Sequence, residues 1–126
     1  MRMLLVDDSR TMRNIMKRTI ETLGPTEFSE AGDGIEALRV IAGSPAGFDL
    51  IVVDWNMPNM DGITLVRKIR ETDKTTPLMM VTTESEKNRV MDAIQAGVSN
   101  YAVKPFTSET LLEKVKQTLS RAKPAA

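Results

Sequence analysis

The sequence contains no cysteine and no histidine. The first absence removes disulfides, thiol nucleophiles and thiolate metal sites together. The second removes a Ser-His-Asp triad, a histidine general base and a histidine-ligated zinc. Net charge is also missing, since seventeen basic residues balance seventeen acidic ones. That balance argues against a broad nucleic-acid or anionic-membrane surface, although not against a small charged site. The only apolar run near the start, in "MRMLLVDD", is too short for a signal-peptide core or a membrane span. The protein is therefore expected to be soluble and cytoplasmic. Carboxylates, lysine, hydroxyls and a hard metal ion are what is left for chemistry.

What is present suits one domain. The chain has 126 residues, 41% of them hydrophobic, enough to bury a core without disulfides or structural metals. Short apolar runs alternate with segments of helical period throughout. "MLLV" (3–6) predicts a strand, and Met12, Ile15, Met16, Ile20 and Leu23 follow at helical spacing, with Ser9 as N-cap and Gly24-Pro25 as the stop. "EFSEA" (27–31) is a weaker strand, followed by a short helix marked by Ile35, Leu38 and Ile41. "LIVVD" (50–54) is the strongest strand, because a continuous branched run suits a central parallel position. Val66 and Ile69 mark the third helix, and "PLMMVT" (77–82) is the fourth strand. A helix over about 85–96 is expected to turn Val90, Met91 and Ile94 inward. "YAVK" (101–104) and a helix carrying Leu111, Leu112, Val115 and Leu119 complete the pattern.

Strand and helix thus alternate five times, which implies an α/β domain, doubly wound, with a mostly parallel sheet. Ligands of such folds sit at the carboxyl ends of the strands. There the sequence places Asp7 and Asp8, Asp54, Thr82 and Lys104. A buried strand that ends in Asp54 needs compensation for the charge. Crowded carboxylates raise one another's pKa, and a divalent cation relieves the conflict. Oxygen-only ligands favour Mg²⁺ or Ca²⁺, and open water positions beside a few carboxylates suit Mg²⁺ awaiting a phosphate. Aspartate also accepts phosphoryl groups covalently, a reaction governed by positioning and charge neutralisation. The residues therefore point to an Mg²⁺-dependent site that holds a phosphoryl group on a carboxylate.

"DD" after the first strand, "DWNMPNMDG" after the third, "VTTE" after the fourth and "YAVKPF" around the fifth resemble the receiver domains of two-component response regulators, most of all the single-domain chemotaxis regulators. The likeness runs from about Arg2 to Arg121. It implies a flavodoxin-like fold of five parallel strands in the order 2-1-3-4-5 with five helices, an order carried over from the resemblance. It further implies that Asp54 is the phosphoacceptor. Asp8 would ligate Mg²⁺ (Mn²⁺ as the alternative) directly, Asp7 partly through water, and the main-chain carbonyl of Asn56 would join Asp54 in completing the set. Lys104 would pair with the phosphoryl group, across a cis bond to Pro105. Thr82 and Tyr101 would be the switch pair, coupling the site to a face of the fourth helix, fifth strand and fifth helix. Asn56 and Glu84 would tune dephosphorylation. Thr83 stands where this family usually has a smaller residue, and is expected to narrow access to the site.

The implied partners are a sensor histidine kinase as donor, a downstream protein such as a flagellar motor switch protein, and a phosphatase, with no nucleic acid and no membrane insertion. A monomeric signal carrier is expected, not an enzyme turning over a separate substrate: a receiver over 1–121 and a short tail at 122–126. A receiver in another relay, or the fragment of a larger regulator, is the alternative. Each residue alone has a plainer explanation: Asp7 and Asp8 as helix-capping acids, Asp54 as a turn-leading acid, Thr82 as a strand residue, Lys104-Pro105 as a turn, Tyr101 as packing. For Asp7, Asp8, Asp54, Thr82 and Lys104 together, these require five coincidences on one rim. A phosphatase of the haloacid-dehalogenase type would want an acid where Asn56 stands. A flavin module would want a phosphate loop in place of "DDSR".

Overall fold

In the computed structural model residues 1–83 and 87–122 are described, those at 83, 87–89, 121 and 122 by their backbone only. The elements are β1 (Arg2–Val6), α1 (Arg10–Glu21), β2 (Glu27–Ala31), α2 (Gly34–Ala42), β3 (Leu50–Asp54), α3 (Gly62–Arg70), β4 (Leu78–Thr83), α4 (Lys87–Ala96), β5 (Asn100–Lys104) and α5 (Ser108–Ala122). All strand pairs are parallel, and the order is β2-β1-β3-β4-β5, as the resemblance implied. The helix between each strand and the next returns the chain to the end of the sheet where the strands begin, which is what a parallel neighbour requires.

Strand alternation splits the core into two layers. Leu4, Val6, Ile51, Val53, Leu78 and Met80 face Leu65, Val66 and Ile69 of α3, with Ala37 of α2 and Ala93 of α4. Met3, Leu5, Leu50, Val52, Met79 and Val81 face Met16 and Ile20 of α1 and Leu111 and Val115 of α5. Every residue of β3 is buried, whereas the edge strand β2 buries only Ala31. That difference explains why the sequence marks β3 strongly and β2 weakly. Ser9, Asp33 and Asp61 each cap a helix by accepting the amide of the third residue beyond. Each cap contributes about 1 kcal/mol.

Three helix faces differ from expectation. In α4 the buried position is Ala93, with Val90 half-buried, while Met91 and Ile94 are 58% and 51% exposed. The small alanine allows α4 to lie close, and Arg70 of α3 reaches across to donate from Nε to the Gly97 carbonyl at 2.9 Å. The contact stripe therefore passes through 90 and 93. In α1 it runs through Met16 and Ile20, and in α2 through Ala37, leaving Ile15 and Ile35 exposed. The helix expected from about 85 is described from Lys87. Glu84, and the end of the expected tail at 123–126, lie outside the described residues.

Candidate functional site

Register assembles the site. Val6 of β1 pairs with Val53 of β3, so the next residues, Asp7 and Asp54, leave the sheet side by side. A carboxylate oxygen from each, with one from Asp8, all lie within 4.8 Å of one another. Asp7 is 1% exposed and Asp54 6%, whereas Asp8 faces outward. β5 supplies Lys104, whose Nζ lies 3.2 Å from Asp54 Oδ1 and 3.4 Å from Asp7 Oδ2. Both distances exceed those of a tight ammonium–carboxylate bond, because one cation is divided between two acids. The peptide bond from Lys104 to Pro105 is cis.

Burial pushes the Asp54 carboxyl above its ordinary range, and the Asp7 charge pushes it further, against the pull of Lys104. With all three acids ionised, a single lysine leaves the cluster with surplus negative charge. Its donors are all carboxylate oxygens, and one of the three acids opens to solvent. That set fits a hard divalent cation, which Asp7, Asp8 and Asp54 could hold.

Neighbours hold the acids in place. The Ser9 amide donates to Asp7 Oδ1 at 2.8 Å. Arg13 donates from Nη1 to the Asp7 main-chain carbonyl at 2.6 Å and from Nε to Glu30 Oε1 at 2.9 Å. Lys17 pairs with the other Glu30 oxygen at 3.0 Å. Burial would raise the Glu30 pKa, but the bonds from Lys17 and Arg13 prevail and hold it below the usual range. Sequence reading missed this chain, although Arg13 and Lys17 at helical spacing were a signal. Gly62 was missed too. A Cβ there would lie 2.3 Å from the Asp54 carbonyl, so only glycine lets α3 start against the end of β3.

The other expected residues are spread around this centre. Asn56 is exposed, one residue beyond the buried Trp55. Thr82 is buried near the end of β4, one position past Val81, which pairs with Asp54. Tyr101 belongs to a different level: it pairs with Met80 and is half-buried beneath Lys114, whose Nζ lies 5.1 Å from the ring centroid. Thr83 pairs with Lys104 through its backbone. A cavity of about 310 Å³ lined by Met12, Ile15, Pro105 and Phe106 opens beside Lys104.

The profile of the response regulator receiver domain matches residues 3–116. The chain belongs to that family. Among its relatives is the chemotaxis protein CheY of Pseudomonas aeruginosa, 44% identical over 96% of this chain and 98% of that protein. CheY1 of Helicobacter pylori is 45% identical over 94% and 97% of the two chains. Among solved structures, chemotaxis protein CheY4 of Vibrio cholerae superposes with a TM-score of 0.83 at 35% identity, over 93% of this chain and 97% of that one. Receiver domains are signalling modules, and this chain has their fold and acidic cluster. Among the described residues no helix is long and apolar enough to cross a membrane.

Proposed function

We propose that this receiver, over residues 1–121, is a signal carrier that accepts a phosphoryl group on Asp54. The observation that carries the reading is the Asp54 carboxylate, buried beside Asp7 with Lys104 Nζ at 3.2 Å. An oxygen of Asp54 attacks the phosphorus of a phosphohistidine on a sensor kinase. The P–N bond breaks, its electron pair stays on the imidazole, and an acyl phosphate forms. Asp7, Asp8, Asp54 and the Asn56 carbonyl would hold Mg²⁺, which supplies charge neutralisation for the phosphoryl oxygens. Lys104 would leave Asp7 and pair with the new dianion, and Thr82 would donate its hydroxyl. Hydrolysis at a rate tuned by Asn56 and Glu84, or assisted by a phosphatase, ends the signal.

The relatives named for chemotaxis support a chemotaxis relay and a motor-switch target as the setting. The signal itself is a population shift: phosphorylation favours a state in which Thr82 and Tyr101 move and the α4–β5–α5 face binds its target differently. The test uses the lone tryptophan beside the site. Trp55 emission is followed while Mg²⁺ and then beryllofluoride, a phosphoryl mimic, are added to wild type and Asp54→Asn. The expected result is a saturable change in wild type whose beryllofluoride step disappears in Asp54→Asn, with no phosphoryl incorporation from a small-molecule donor. Incorporation retained by Asp54→Asn would overturn the assignment.

A further inference from the structure

The loop that follows Asp54 is held at both base and tip. At the base the Gly62 amide donates to the Trp55 carbonyl at 2.8 Å, closing off residues 56–61. Trp55 is itself fixed, since its amide donates to the Val81 carbonyl at 3.1 Å. At the tip Asn59 has φ 67°, a left-handed conformation that asparagine tolerates better than most residues. Its Nδ2 donates to Asp33 Oδ2 at 2.9 Å. The other Asp33 oxygen accepts the Glu36 amide at 2.8 Å and caps α2. Next to Asn59, Met60 lies so close over Gly34 that a Cβ there would come within 2.8 Å of its side chain. The Asp33 carboxyl sits below its ordinary range, held there by the Glu36 amide first and the Asn59 amide second.

We infer that Asp33 and Asn59 form a latch between α2 and the site loop, and that this latch positions Asn56 for cation binding at the Asp54 cluster. The inference rests on reading that cluster as a cation-dependent phosphoacceptor site. The base is pinned to β3 and β4, and inside the loop the Met60 amide donates to the Pro58 carbonyl at 2.7 Å. The bond from Asn59 to Asp33 is what ties this turn to the start of α2. Neither residue belongs to the acidic cluster, so both are positioning residues, acting through the loop backbone. Outer partners of this kind change metal affinity by roughly tenfold or more when removed.

The latch has a polarity that can be reversed, which gives the test. Mg²⁺ is titrated into the full chain while the amide signals of residues 54–62 are followed by nitrogen-15 NMR. Asn59→Asp sets two carboxylates against each other and should weaken Mg²⁺ binding roughly tenfold. Added negative charge acting alone would instead tighten it. Asp33→Asn should bind Mg²⁺ as wild type does, because a flipped Asn59 amide can accept from the new one. Combining Asp33→Asn with Asn59→Asp should restore affinity, with donor and acceptor exchanged and net charge unchanged from wild type. Asn59→Gly keeps access to the left-handed backbone but loses the bond and loosens the loop, and should also be weakened. Unchanged or tighter binding in Asn59→Asp and Asn59→Gly, or no recovery in the double variant, overturns the latch. Should Asn59→Asp alone fail to fold, recovery in the double variant relative to Asn59→Gly decides. Wild-type signals that do not respond saturably to Mg²⁺ overturn the reading of the site, an outcome visible before any variant is compared.

Discussion

Asp54 and Asp73 are the same residue type at opposite ends of the sheet, and the fold treats them in opposite ways. Asp73 lies in the turn before β4 and accepts from the amides of Thr75 and Thr76 and from both their hydroxyls. Partial burial would raise its pKa, but those donors prevail and lower it to about 2. Asp54 faces another buried carboxylate, Asp7, and shares one lysine with it. Burial and like charge move its pKa upward. A satisfied carboxylate holds a turn together. A buried one that faces a like charge and shares its lysine with it stores a conflict that a second cation or a phosphoryl group can resolve, and such conflicts cluster at functional sites.

The comparison can be broken most forcefully at the glycine that allows it. Gly62→Ala places a Cβ 2.3 Å from the Asp54 carbonyl, so α3 must shift away from β3. A loss of about 3 kcal/mol in urea unfolding is expected. A loss below about 0.5 kcal/mol would show that the contact yields easily.

Asp73→Asn removes the charge that its four donors converge on. It should cost about 1–2 kcal/mol at pH 7. The sign of the pH effect follows from a folded pKa of about 2 against an ordinary value of 3.8. The stabilisation is complete above the ordinary value and is lost as pH falls through the folded one. The gap between wild type and variant should therefore narrow toward pH 2. A gap independent of pH would mean that the turn, and not the charge, is what matters.

The smallest effect sharpens the contrast. Without divalent cations, Asp54→Asn should stabilise the protein at pH 7 by about 1 kcal/mol, because it relieves one of two acids competing for Lys104. Saturating Mg²⁺ should stabilise wild type more than the variant and close the gap. Destabilisation by Asp54→Asn in the cation-free protein would show that the pair with Lys104 outweighs the repulsion.

Much of this arrangement is legible in the linear chain. "LIVVD" announces a central strand because both its faces are apolar, and the acids and lysine of the site are legible because each lies at the end of a strand or within two residues of it. The buried face of α4 was not. Hydrophobic patterning gives weight to Met91 and Ile94, yet close packing selects the small Ala93. For the chain Lys17–Glu30–Arg13 the sequence held only the helical spacing of the two cations, and for Asn59–Asp33 it held nothing, since each joins residues on different elements that only sheet register and helix docking bring together.

Local periodicity, caps and strand-ending acids were thus determined by the sequence itself, because they depend on neighbours within a few residues. The tertiary structure alone decided that Asp7 and Asp54 would divide one lysine, that Gly62 would touch the Asp54 carbonyl, and that Asp33 would reach the loop beyond it. Those outcomes depend on distances of a few ångströms between remote segments. At such distances burial strengthens every charge and register chooses its partner.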